Sequence, residues 1–273
     1  LNISQSALSE GLSDLEHALK TRLLVRRRAH GITLTSVGRE LLEYARSTVH
    51  SAEALHAAAA GDKRSIAGTM TVGCYTTLAP FVFPPLIAAL RSQHPNLRIE
   101  ILEGSADEIQ VELIRGRCEL AFLYNFDVQA GVDHEVLYRV RPHLLMPGRH
   151  KLASRPVVDL RDLAGEPVIL FDLPDSSRNT QMIFDDVGVV PNISIRSRNF
   201  ELVRSLVGRG YGHSILIQRP RIQKSYEGNT VAIREIARIK TAFSVTLAYE
   251  KRIARTARLD AVRRICRACW PAG

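Results

Sequence analysis

From Thr69 to Cys269 the chain repeatedly changes hydrophobic period, from short apolar runs to helical stripes and back. That alternation leaves few architectures open. Each apolar run reads as a strand and each stripe as a helix, and regular β-α-β order implies parallel sheets with helices on both faces. The reading gives strand 69–74, helix 78–93, strand Leu97–Glu103, helix 106–116 and strand Leu120–Tyr124. One strand over Glu135–Met146, a turn at Leu160–Leu163, strand Pro167–Phe171, helix 177–187 and strand Ile193–Arg196 follow. Helix Phe200–Gly208, strand Ser214–Ile217, a final strand Ala242–Tyr249 and helix Arg255–Cys269 close the series. Leu120–Tyr124 shows no polar alternation, so it belongs in a sheet covered on both faces.

The stretch TMTVGCYTTLAPFVFPPLIAAL, Thr69 to Leu90, runs from a strand through Gly73–Thr77 into a helix. Backbone N–H groups and the Thr76 and Thr77 hydroxyls at such a turn make a ready site for a carboxylate or other anion.

The chain ahead of it is helical and basic. Ser4 is a good N-cap, and Ala7, Leu8, Leu12, Leu15, Ala18 and Leu19 recur at helical steps, so one face is expected to be buried. Ser4, Gln5, Ser6 and Ser9 give the helix start short polar side chains that can approach base edges and phosphates. An ordinary amphipathic surface helix has the same periodicity. Arg26, Arg27 and Arg28 precede Ala29–His30–Gly31, and Ile32–Thr35 then alternates. This reads as a short β-hairpin with a basic tip, suited to phosphate contact or simply solvated. Residues 36–60 form one helix, capped by Thr35 or Ser36 and on the order of 35 Å long. Its stripe through Leu41, Leu42, Ala45, Val49, Ala52 and Leu55 needs a partner, either a second copy in a coiled coil or the chain's own domain. Gly61–Ser65 marks a hinge.

A net charge of +9 and a pI near 9.7 favour an anionic partner such as nucleic acid. No apolar run approaches the ~20 residues of a transmembrane helix. Leu1–Leu12 lacks the basic and apolar regions of a signal peptide. Four scattered cysteines, Cys74, Cys118, Cys266 and Cys269, suit a reduced cytoplasmic protein. Cys266 and Cys269 have redox or metal spacing but no second pair. No H-E-x-x-H or G-x-S-x-G pattern occurs, so no catalytic or metal set and no cofactor is implied. Gly208–Gly212 follows a helix and opens a strand, which makes it a C-cap and turn, not a dinucleotide loop. The arginines at 252, 255, 258, 263 and 264 read as a solvated helix face.

The order LNISQSALSxxLxxLExxL followed by RLLVRRRAHGITLTxxG resembles the winged helix-turn-helix of LysR-type transcriptional regulators. The segments TVGCYTTLAPFVFPPL, HPNLRIEILEG, ELIRGRCELAFLYN, DLAGEPVILFD and FELVRSLVGRGYGHSIL resemble the effector-binding domain of the same family. The resemblance implies a winged helix-turn-helix over 1–35 lacking its first helices, a linker and dimerisation helix with hinge over 36–66, and an effector-binding domain over 67–273. That last domain would have an α/β periplasmic-binding-protein-like fold, with subdomains of about 67–140 plus 241–273 and about 141–240, crossed by two strands. The helix at Ser4–Ser9 would enter the major groove, and a wing of Arg26, Arg27, Arg28 and His30 would touch the backbone or minor groove. Glu10 and Gly11 depart from the basic or amide residues frequent there.

Carried over by the same resemblance, the effector would lie between the subdomains. Tyr75, Thr76, Thr77, Tyr124 and Asn125 would face it from one side, and Phe171, Asp172, Ser176, Asn199, Phe200, His213 and Ser214 from the other. Hydroxyls, amides and aromatic faces suit a small carboxylate or polar aromatic; Asp172 and Asp175, if they face the cleft, favour an amine. The implied function is ligand-responsive transcription regulation without enzymatic activity. The partners are an operator duplex, the effector and further copies of the chain joined through the 36–60 helix into a homodimer or homotetramer. The alternative is a solute-binding or sensor protein of the same fold without DNA function.

Overall fold

The computed structural model describes residues 4–27, 31–59, 66–125, 129–250 and 257–270. The chain separates into two compact units, Leu1–Arg64 with Arg115–Arg117, and Ser65–Ile114 with Cys118–Gly273.

In the first unit, helix α1 spans Gln5–Ala18, and the Ser4 hydroxyl accepts from the Ala7 N–H at 3.2 Å to start it. Strands β1 (Leu24–Arg27) and β2 (Gly31–Leu34) pair antiparallel, Leu24 opposite Leu34. Glu16 ties α1 to this hairpin: its Oε1 accepts from the Leu23 and Leu24 N–H groups at 2.6 and 2.9 Å. Helix α2 (Ser36–Ala59) is capped by Thr35, whose Oγ1 accepts from the Gly38 N–H at 2.8 Å. The glycine at 38 is required, since a Cβ there would lie 2.1 Å from the Leu23 carbonyl oxygen. The expected burial of the α1 stripe is not found. No α1 residue is buried: Leu12 is half-buried, and Leu8, Leu15 and Leu19 are nearly half exposed.

The second unit runs β3 (Gly68–Tyr75), α3 (Ala79–Gln93), β4 (Leu97–Gly104), α4 (Ala106–Ile114), β5 (Leu120–Tyr124), β6 (Val132–Val140), β7 (His143–Pro147), β8 (Val157–Val158), a 3-10 turn at Leu160–Leu163, β9 (Pro167–Phe171), α5 (Pro174–Val187), β10 (Asn192–Ser197), α6 (Phe200–Arg209), β11 (Ser214–Leu216), β12 (Val231–Ile236), β13 (Phe243–Glu250) and α7 (Ala257–Cys269). One sheet has the order β4-β3-β5-β13-β6. The other half holds a four-stranded sheet, β11-β7-β12-β8, and a parallel pair, β10-β9, which a bridge between Val168 and His213 connects.

The sheets are mixed, which corrects the expectation of parallel ones. β13 runs antiparallel to both β5 and β6. The chain leaves the first sheet at the end of β6 and returns as β13, and a returning strand enters from the opposite end. The single strand expected over Glu135–Met146 is two strands, β6 and β7, parted at Arg141–Pro142, where proline lacks the N–H a ladder needs. β12 was not anticipated, and α5 begins at Pro174 rather than Ser177.

Met70, Val72, Leu86, Phe122 and Leu247 centre the core of the first half. In the second half β7 serves both faces. Leu144 and Met146 pack with Ile183 and Phe184 of α5, and Leu145 packs with Val203 and Val207 of α6. All five residues of β5 are buried, as its lack of alternation requires. Gly73 admits α4 close to β3: a Cβ there would sit 2.8 Å from Ile109 Cγ2 and 3.0 Å from Ala121 Cβ.

Candidate functional site

The two halves of the second unit meet at the ends of β3, β5, β9 and β11 and the start of α5. Tyr75 is the last residue of β3, and its hydroxyl lies 3.1 Å from the Ser176 hydroxyl in the first turn of α5. The Tyr75 ring stands edge-on to Tyr124, centroids 5.5 Å apart. The Tyr124 hydroxyl accepts from Gln218 Nε2 at 2.8 Å and also bonds the Thr77 side chain. Burial pushes the Tyr75 phenol up to about 12, with the Ser176 hydrogen bond opposing, and raises the Tyr124 phenol further. Both phenols are therefore neutral at physiological pH.

Thr77, Tyr124, Ser176 and Gln218 wall a cavity of about 20 Å³, room for one water or so. Ser176, Asn179, Thr180 and Ile183 line it from α5 at the i, i+3, i+4, i+7 spacing of one helix face. Phe171 and Phe200 stand edge-to-face, centroids 5.9 Å apart, and Ile215–Gln218 completes the wall.

Of the effector residues expected from sequence, Thr77, Tyr124, Phe171, Ser176 and Phe200 line this cavity, and Tyr75 abuts it through Ser176. The others are placed elsewhere. Thr76 donates to the Gly104 carbonyl at 3.2 Å and so faces β4. Asn125 accepts from the Ser244 N–H at 2.7 Å and clasps β5 to β13. Asp172 accepts from Ser177 Oγ at 2.7 Å and Arg196 at 3.4 Å, and Asp175 pairs with Arg178 at 3.1 Å. Asn199 caps α6, accepting from the Glu201 and Leu202 N–H groups at 3.0 and 2.9 Å. His213 and Ser214 are buried in the backbone ladder beside β9 and β7. Burial holds His213 down at about 4, with His150 adding to the shift and Glu166 opposing it.

The anion-ready turn is also revised. The Thr76 N–H donates to Gly104 O and the Leu78 N–H to Tyr75 O, and Pro80 in the first turn of α3 has none to offer. Asn179, Thr180 and Gln218 were missed from sequence. The first two carry a signal, standing three and four residues beyond Ser176 on a helix; Gln218 carries none.

In the first unit, Ser4, Gln5 and Ser6 are exposed, and the Ser4 and Ser6 hydroxyls lie 2.9 Å apart; Ser9 is half-buried. Arg26 and Arg27 end β1. Arg28 and His30, with the side chains of Arg26 and Arg27, lie outside the described residues. The thiols of Cys74, Cys118 and Cys266 are buried, and none lines the cavity. Among the described residues no group of three His, Cys, Asp or Glu is arranged to hold a metal, and no helix is long and apolar enough to cross a membrane.

Comparison with known proteins covers both units. Residues 63–270 match the LysR substrate binding domain, and residues 1–39 match the bacterial regulatory helix-turn-helix of the lysR family. An uncharacterized HTH-type transcriptional regulator, YvbU of Bacillus subtilis, is 27% identical over 216 residues, 79% of this chain and 73% of its own length. A probable hydrogen peroxide-inducible genes activator of Mycobacterium avium is 33% identical over 172 residues, 63% of this chain, and the match spans 55% of that protein. Among solved structures, HinK, a LysR family transcriptional regulator from Pseudomonas aeruginosa, superposes with a TM-score of 0.71 at 33% identity, covering 97% of this chain and 89% of its own. The effector binding domain of QuiR, at 20% identity and a TM-score of 0.64, shares the fold over 74% of this chain and 96% of its own. With its helix-turn-helix segment, its two-part α/β unit and these relatives, the chain belongs to the LysR family of ligand-responsive, DNA-binding transcriptional regulators, which are not enzymes.

Proposed function

We propose that this regulator takes a small organic effector in the cavity between the two halves of its α/β unit. Binding there resets the opening between the halves and with it the protein's hold on an operator duplex. The supporting observation is the cavity itself: residues from the turn after β3, from β5, from α5 and from β11, far apart in sequence, converge on it, and hydrogen bonds cross between the halves beside it. The QuiR domain was solved in complex with shikimate, which is in keeping with an organic effector for this fold. The DNA-contacting surface in this reading is Ser4, Gln5, Ser6 and Ser9 of α1 with the arginines of the hairpin. Helix α2 pairs copies of the chain into a dimer or tetramer in the cytoplasm.

Selection of genomic duplex fragments by the full chain, followed by titration of the selected duplex, tests the regulator reading. Sequence-selective, salt-dependent retention supports it. Indifference to DNA would favour the solute-binding alternative, in which the same cavity serves without an operator.

A further inference from the structure

The chemistry of the cavity wall narrows what can occupy it, given that the cavity is the effector site as proposed above. Among the described residues, no lysine, arginine, histidine, aspartate or glutamate lines it. The nearest acids are committed elsewhere: Asp175 to Arg178, and Asp172 to Ser177 and Arg196. Tyr124 already bonds Gln218 and Thr77, and Tyr75 and Ser176 bond each other. Asn179 and Thr180 differ. They are 3% and 6% exposed, line the cavity, and their side chains make no hydrogen bond among the described residues. Their polar atoms are not among those sealed away without a partner, so they open to the cavity and can bond what it receives. The rest of the wall is apolar, made of the Phe171–Phe200 ring pair with Ile183, Ile215, Leu216 and Ile217.

We infer that the effector is an uncharged molecule with an apolar, ring-sized body and a hydrogen-bonding head, an amide or alcohol rather than a carboxylic acid or amine, and that Asn179 with Thr180 reads that head. An ionised group on this wall would lose its water without gaining a counter-ion. An amide or hydroxyl would instead exchange donors and acceptors with the Asn179 carboxamide, which offers both. The closed cavity holds about one water, so a ring enters only as the halves part. The Tyr75–Ser176 and Tyr124–Gln218 hydrogen bonds are the ones that yield.

Four probes on one ring separate the possibilities: benzamide and benzyl alcohol, against benzoate and benzylamine. Each is titrated into the full chain at pH 7.5 by saturation-transfer NMR, with Asn179→Leu and Thr180→Val in parallel. The unfolding midpoint of each variant without probe reports whether it is folded. The expected result is binding of the uncharged pair at least tenfold tighter than the charged pair. That preference falls about tenfold in whichever variant is folded. Equal or tighter binding of benzoate or benzylamine overturns the inference, as does undiminished benzamide binding by a folded variant, or no binding by any of the four. The regulator reading fails by a different result, loss of selective duplex binding by the unliganded chain, so the two failures are distinguishable.

Discussion

The Tyr75 hydroxyl meets the Ser176 hydroxyl at 3.1 Å across the line where β3 of one half approaches α5 of the other. The two residues stand 101 positions apart, and both are held where backbone elements begin or end. The Gln218–Tyr124 bond at 2.8 Å is a second neutral hydrogen bond across that line, and Leu173 and Ile217 add apolar contacts with the core of the first half. Each hydrogen bond contributes about 1 kcal/mol net, small enough for a ligand of modest affinity to displace.

Tyr75→Phe removes one of these bonds and leaves the ring contact with Tyr124 intact. The expected outcome is a loss of about 1 kcal/mol in urea unfolding together with faster amide exchange at the start of α5. Exchange unchanged from the parent would show that the bond does not hold the halves together.

Thr77→Ala removes a cavity hydroxyl that supports Tyr124. Effector response should weaken while operator affinity stays intact. Equal loss of both in a titration with and without effector would assign Thr77 to folding instead.

Glu16→Gln tests the tie between α1 and the hairpin. The carboxylate accepts two backbone N–H groups, and the weaker amide acceptor should cost roughly 1 kcal/mol. Faster exchange of the Leu23 and Leu24 amides is the direct readout. Replacing Arg26, Arg27 and Arg28 with glutamine should flatten the salt dependence of DNA binding by up to about three charges' worth of slope. An unchanged slope would remove the hairpin from the DNA interface.

Two buried histidines set an acid limit. His143 is held down at about 3 by burial, then by Arg219 and Arg204, and His213 at about 4 chiefly by burial. Both folded values lie below the ordinary 6.5, so the unfolded chain binds protons first as pH falls. Stability is insensitive to these groups above about 6.5 and declines below it. The decline levels off near 4 for His213 and near 3 for His143. Between pH 7 and 5 each should cost on the order of 1–2 kcal/mol. His143→Leu should flatten the urea midpoint over that range; an unaltered pH profile would contradict the assignment.

Much of the fold was legible because its period is strong. β5 has no polar alternation and is buried throughout, and Ser4 and Thr35 cap the helices that follow them. β12 was illegible because VAIREI neither alternates nor keeps a helical stripe; its buried positions are 231, 232 and 236. Its pairing with β7 gives it its place as a strand, a tertiary cause. At the site, strand ends and helix starts were readable, but orientation was not. Thr76 and Thr77 are adjacent in sequence, yet one faces the Gly104 carbonyl and the other the cavity, which depends on how the turn after β3 rotates. Gln218 meets Tyr124 across 94 residues, a relationship no local pattern encodes.

The most direct test of the account occupies the cavity permanently with a side chain in place of the effector. Ile183→Trp places an indole on the α5 side of the cavity that Phe171 and Phe200 also line. A reporter driven by the selected operator is compared in cells carrying the parent or the variant, with operator affinity measured on the purified proteins. The account predicts intact operator affinity and loss of the effector-dependent change in expression. Retention of that change by a folded variant would show that the ligand acts elsewhere.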